Sequence, residues 1–262
     1  MRYLAALLLC LTPSLCLAET VVEVPSPRGV SVRALEEVPA NPKGSVILLA
    51  GGSGKLELGL DGSMGSLRNN QLVRSRQLYA QAGYAFLVPD MGPGLADSDG
   101  YRDSAAHAQD LGAMVEHMRS LAAPVVVIGT SRGTLSAGNL AGHSQGAAHP
   151  DAIVLTSAFL NLNISESAAA LASGPQAFDM PVLLMGHESD QCPHTPAANM
   201  EAFRNWLTAS PKVDIKIMSG GNFSMAKSDQ CGSSAAHGYL GLDDKVVAEI
   251  TAWIASLPPR KP

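Results

Sequence analysis

Residues 124–133 read PVVVIGTSRG, and the fold is decided there. Pro124 to Ile128 form an apolar run without polar alternation, the pattern of a strand buried on both faces. Gly129-Thr130-Ser131-Arg132-Gly133 follows, and 132–141 has helical spacing. A G-x-S-x-G set between such a strand and a helix has a physical logic. The turn is sharp enough to force Ser131 into backbone angles that ordinary residues avoid, so its neighbours must do without a Cβ. The hydroxyl then projects above the sheet, at a helix N-terminus whose open N–H groups favour developing negative charge. The pentapeptide alone is unspecific; its blander reading is a tight strand–helix turn with an idle serine.

Outward from this motif the same alternation continues. Strands are expected at 20–24 and 30–38, as a hairpin-like start, and at 45–50, 84–88, 152–155, 182–185 and 213–218. Helices are expected at 71–82, 103–121, 132–141, 196–207 and 243–257. Strands alternating with helices of this length indicate an α/β fold with a mostly parallel sheet covered on both faces. The segment 159–178 offers little material for a cap, and aromatic residues make up only 5% of the chain, so a small substrate is expected.

The chain has 262 residues, 46% of them apolar and 16% charged, with a net charge of −5. That composition suits one compact domain and argues against disorder. No Lys/Arg-rich run is present, so nucleic acid is not an expected partner. Residues 1–18 read as a signal peptide: Arg2 leads, 4–11 is apolar, and Cys16 and Ala18 are small residues just before Glu19. The apolar run is short and stops before Pro13, so no stable membrane insertion is expected once the signal is removed; an uncleaved anchor is the alternative. The expectation is a periplasmic or secreted protein with its domain at 19–262. Of four cysteines only Cys192 and Cys231 then remain, and an oxidising compartment should join them.

A nucleophilic serine needs a base, and the base needs an orienting acid. Where a turn of this kind serves catalysis in α/β-hydrolases, the chain order is serine, acid, histidine. Asp190 is the best acid, because it follows the strand at 182–185 at its carboxyl end, where open parallel sheets bind ligands. Glu188 and Asp229 are its rivals, and Asp179 precedes that strand. His237 is the best base, in a loop between the last strand and the last helix. His187 and His194 would break the order, His143 and His149 sit beyond the far end of the helix that Ser131 begins, and His107 and His117 read as surface residues of an earlier helix. A Cys192–Cys231 bond would pin the acid loop to the histidine loop. The oxyanion donors should be the backbone N–H of Arg132 and that of Gly52, otherwise Ser53, in the glycine-rich loop after the strand at 45–50.

Two other readings use the same residues. His187, Asp190, Cys192 and His194 have the ligand types of a zinc site, but Pro193 stiffens the segment and Cys192 is expected to pair with Cys231, so no metal is expected. Gly51-Gly52-Ser53-Gly54-Lys55 lacks the full phosphate-loop pattern, since Leu56 follows Lys55. No cofactor is implied. Arg74, Arg76 and Arg102 could meet an acidic substrate group, but solvated helix faces and surface ion pairs explain them more simply. Asn69 and Asn70 read as loop and helix-cap residues.

The segments LLAGGSG (48–54), NNQLVRSR (69–76), VIGTSRGT (127–134), HESDQC (187–192) and CGSSAAHGYLG (231–241) together resemble the α/β-hydrolase superfamily, in particular a group of exported bacterial members. The resemblance covers nearly all of 19–262. It implies a single α/β-hydrolase domain with a Ser131–Asp190–His237 triad; the short or minimal cap and the small-molecule acyl substrate, a small ester first, are expected from the 159–178 segment and the few aromatics instead. The resemblance does not select among esters, thioesters and peptides, and a binding protein built on the same fold is the competing class.

Overall fold

The computed structural model describes residues 18–95, 99–160, 174–223 and 229–258. Its centre is one eight-stranded sheet in the order β1-β2-β4-β3-β5-β6-β7-β8. β1 (Thr20–Pro25) and β2 (Ser31–Glu37) form the expected antiparallel start, and β2 pairs antiparallel with β4 (Ala85–Pro89). From there β4, β3 (Ser45–Leu49), β5 (Val125–Thr130), β6 (Ala152–Thr156), β7 (Val182–His187) and β8 (Val213–Met218) pair in parallel. The strands without polar alternation are those in the middle, where each side chain is buried on one face or the other.

Successive residues of each central strand feed two separate cores, as the two-residue side-chain period requires. Val46, Leu48, Phe86, Val126, Ile128 and Val154 face α1 (Gln71–Gln81) and α5 (Asp243–Ala255), with Leu72, Tyr79, Ile250 and Trp253 opposite them. Ile47, Leu49, Leu87, Val125, Val127 and Ile153 face α2 (Ala105–Leu121), α3 (Gly133–His143) and α4 (Met200–Trp206), with Leu111, Met114 and Phe203 buried and Trp206 packed at the margin. Full burial of one such aliphatic side chain stabilises by roughly 1.5–3 kcal/mol.

Two helices start later than their sequence pattern. α2 begins after Ser104, whose hydroxyl caps His107 N–H at 3.2 Å, because Asp99–Asp103 is a 3₁₀ turn. α4 begins at Met200, because Ala197–Asn199 is also a 3₁₀ turn and the residues before it are held in the acid loop. α1 is capped by Asn70 as expected, its side chain accepting from Leu72 N–H at 3.2 Å. The signal-peptide reading falls on residues outside the described ones except Ala18, and so does most of the short-cap segment, 161–173. Among the described residues no helix is long and apolar enough to cross a membrane.

Candidate active site

β5 ends at Thr130 and α3 begins at Gly133, so Ser131 and Arg132 alone make the turn. Ser131 takes φ 51°, a left-handed conformation that costs a residue with a Cβ about 1–3 kcal/mol and persists only where its surroundings enforce it. Both glycines of the motif have a steric reason. A Cβ on Gly129 would lie 2.6 Å from the Gly133 carbonyl oxygen, and one on Gly133 would collide with the Leu49 carbonyl at the end of β3. The turn is then tied down: Ser131 N–H donates to Thr156 O (3.0 Å), and its carbonyl accepts from Thr134 N–H (3.0 Å) and the Thr134 hydroxyl (2.6 Å).

The next two strand ends position Asp190 and His237. Asp190 lies three residues past β7, with its side chain 1% exposed. Its Oδ1 accepts from Cys192 N–H (2.9 Å), and its Oδ2 accepts from the Thr195 hydroxyl (3.0 Å) and lies 3.1 Å from His237 Nδ1. The same Thr195 oxygen lies 3.1 Å from His237 Nδ1. A carboxylate can only accept, so the Nδ1 proton points at Asp190 and Nε2 is left as the basic nitrogen. The His237 backbone is fixed from β6, whose following residue Ser157 donates its hydroxyl to the His237 carbonyl at 2.8 Å. Thr156 thus holds Ser131 while Ser157 holds His237. Among the described residues no hydrogen bond joins the Ser131 hydroxyl to His237 directly; such bonds are often long in unliganded sites and tighten with substrate.

Two tethers steady the histidine loop. The Cys192–Cys231 disulfide joins it to the acid loop, with Cα atoms 4.7 Å apart. Arg74 on α1 bonds the carbonyls of Asn69 (2.8 Å), Ser233 (3.0 Å) and Gly238 (2.5 Å) and pairs with Asp243 at the start of α5 (3.0 Å). Arg76 pairs with Glu19 at 2.6 Å. Arg74 and Arg76 thus form ion pairs, as the simpler reading expects, and Arg74 has a second role in shaping the loop that carries His237.

Arg102 and His107 do not match their sequence reading as surface groups. Arg102 is 2% exposed and lies under the glycine-rich loop, donating to Ala50 O (3.1 Å), Gly52 O (2.9 Å) and the Ser136 hydroxyl (2.9 Å). His107 Nε2 meets the same Ser136 hydroxyl at 2.9 Å. Burial, reinforced by the positive charges of Arg102 and Arg28, pushes the His107 pKa down to about 3. Polarity alone gave these two residues to the surface, whereas Arg102, in the 3₁₀ turn, and His107, in the first turn of α2, are both buried. The buried cation explains Gly54, at φ 73°, where a Cβ would meet Tyr101 Oη and Arg102 Nη2. Pinning the Gly52 carbonyl also fixes the Ser53 N–H, which points opposite it in a trans peptide. The Gly51 carbonyl accepts from Gly54 N–H (3.2 Å) and fixes the Gly52 N–H likewise. Among the described residues neither Gly52 N–H nor Ser53 N–H donates to another group. Gly51 brings this loop against Ser131: a Cβ there would lie 3.0 Å from Ser131 Cβ. The Arg132 backbone sits at the N-terminus of α3.

The rival residues lie elsewhere. Glu188 is exposed, and Asp179 pairs with His149 at 2.8 Å away from the site. Asp229 is exposed beside Gly232. His187 is buried, its Nδ1 accepting from Ser189 N–H (3.0 Å) and its Nε2 facing Gly220 O (2.9 Å), while His194 stacks on Phe159 at 5.1 Å. Among the described residues no cluster of metal-ligating side chains is formed. Thr195 is the site residue that sequence reading missed, since one threonine in a loop carries no spacing signal.

No family model and no curated protein matches the chain. Solved structures match over most of its length. An esterase of Pyrococcus furiosus, Pf2001, superposes with a TM-score of 0.64 at 14% identity, covering 97% of this chain and 96% of that one. A puromycin-hydrolysing peptidase of Mycobacterium tuberculosis gives 0.64 at 14% identity over 96% of this chain, which spans only 41% of that peptidase. A sugar hydrolase of Lactococcus lactis gives 0.60 at 14% identity, covering 91% and 97%. Together with the sheet order described above, these likenesses make the chain, in fold, an α/β-hydrolase.

Proposed function

We propose that the protein is a serine hydrolase that cleaves an ester or related acyl bond through Ser131, His237 and Asp190. One observation carries the reading: a serine held at φ 51° on the β5–α3 turn shares its support, Thr156-Ser157, with a buried histidine whose Nδ1 rests on Asp190. In this mechanism Ser131 Oγ attacks the substrate carbonyl while its proton passes to His237 Nε2. The carbonyl oxygen becomes an oxyanion, held by the N–H of Arg132 and that of Gly52 or Ser53. Collapse breaks the bond to the leaving group, which takes the proton from His237. Water then attacks the acyl-enzyme, giving its proton to His237, and as the bond to Ser131 Oγ breaks His237 returns a proton to that oxygen and the acid product leaves. Asp190 keeps the imidazole in the required tautomer and supports its transient charge.

An exported protein, periplasmic or secreted, belongs to the same proposal, supported by the leader-like residues 1–18 and by the disulfide. The test of the chemistry is fluorophosphonate labelling of the purified protein beside Ser131→Ala, with the labelled peptide mapped by mass spectrometry. Label at Ser131 that vanishes in the variant is the expected result. A folded wild type that takes no label would favour a binding role on a hydrolase fold.

A further inference from the structure

A cleft of about 380 Å³ opens between the glycine-rich loop and the histidine loop. Its lining includes Gly52, Leu67, Arg68, Asn69, Asn70 and Ser233, with Leu67 the large apolar side chain among them. A lining rich in hydrogen-bonding groups suits a polar substrate portion and is a poor match for an acyl chain of hydrocarbon.

Two side chains give the cleft a direction. The cap fixes Asn70: its Oδ1 accepts from Leu72 N–H, so the amide cannot turn over without losing that bond. Nδ2 therefore faces the other way, 3.5 Å from where a Cβ on Gly51 would stand, and that same point is 3.0 Å from Ser131 Cβ. The Asn70 amide thus presents donors beside the nucleophile. Arg68 is the cation of the lining. Its Nε donates to Met64 O at 2.6 Å, which fixes one edge of the guanidinium and leaves both terminal nitrogens without a partner among the described residues. Glu57 backs onto Gly65, another lining residue. An anion in the cleft is therefore best placed near Asn70, away from Glu57.

Resting on the serine-hydrolase reading, we propose that this cleft binds a carboxylate carried by the substrate, with Asn70 Nδ2 and the terminal nitrogens of Arg68 as its donors. A planar fork of N–H groups fits a carboxylate in two-point contact. A single lining cation also balances one negative charge, which favours a carboxylate over a doubly charged phosphate. The substrate class is an ester bearing a free carboxylate on one side of the scissile bond.

The test uses two matched pairs of esters near neutral pH. One pair is 4-acetoxybenzoate and its methyl ester, with the charge on the leaving group. The other is the 4-nitrophenyl monoester of adipic acid and its methyl ester, with the charge on the acyl group. The wild type should favour the charged member of one pair by about 10- to 100-fold in kcat/KM, the scale of a charge-assisted hydrogen bond. Arg68→Gln should bring that ratio close to one, and Arg68→Lys should keep part of it. Asn70→Asp preserves the helix cap and replaces the donors with a negative charge, so it should reverse the preference. Equal or better cleavage of the neutral member in both pairs by the wild type overturns the carboxylate subsite alone. No cleavage of any ester, together with no fluorophosphonate label at Ser131, removes the hydrolase reading and this proposal with it.

Discussion

The Thr195 hydroxyl stands 3.0 Å from Asp190 Oδ2 and 3.1 Å from His237 Nδ1, so it steadies these two side chains of the proposed triad at once. Its removal should be felt in the chemistry more than in binding. Thr195→Val is expected to lower kcat about 10-fold with little change in KM, the scale of one buried hydrogen bond, and Thr195→Ser should restore most of it. A loss confined to KM would refute the positioning role. His107 makes a different prediction. The folded protein keeps it unprotonated down to about 3, while an unfolded chain protonates histidine near 6.5. Protons therefore bind the unfolded state preferentially between those values. The contribution to stability is complete above about pH 6.5 and is lost as pH falls towards 3, by up to about 1.4 kcal/mol per unit. His107→Gln should flatten that part of a denaturant-derived stability curve, and equal acid slopes in variant and wild type would count against this account.

Among the elements, the glycine-rich loop depends on a group that is distant in sequence and was not read as its partner. Arg102 reaches it from the 3₁₀ turn before α2 and holds two of its carbonyls. Arg102→Met should lower kcat by about 10- to 100-fold, less than or equal to the loss of a whole oxyanion donor, with KM nearly constant. If only thermal stability fell, the loop would not need the arginine for its function. The histidine loop is steadied by a covalent link closing 39 residues, which in the chain-entropy model contributes about 4 kcal/mol. The double variant Cys192→Ser/Cys231→Ser should melt earlier and turn over more slowly, and unchanged kcat and melting temperature would contradict that. The late start of α4 belongs here too. Helical spacing at 196–207 was legible, but it carried no hint that Thr195 would be committed to Asp190 and the next residues drawn into a 3₁₀ turn.

On the scale of the whole molecule, the sheet was the most legible part. Central strands such as 125–128 contain only apolar residues because both faces are covered, and that is visible without any knowledge of partners. The positions of Ser131, Asp190 and His237 could be proposed because each follows a strand that the sequence reveals. Arg102 and His107 could not, because their partners are carbonyls and a hydroxyl of residues elsewhere in the chain, and Thr195 could not, because its contacts with the Asp190 carboxylate and the His237 imidazole leave no pattern of spacing either. The two faces of the sheet carry one further consequence. Each core holds one of the two tryptophans: Trp253 on α5, bonded to Asp214 at 2.7 Å, and Trp206 on α4, stacked on Phe203. Fluorescence of Trp206→Phe therefore reports one side of the sheet, and that of Trp253→Phe the other. Coincident emission changes during denaturation would mean that the two layers melt as one cooperative unit, and separated ones would reveal which layer lets go first.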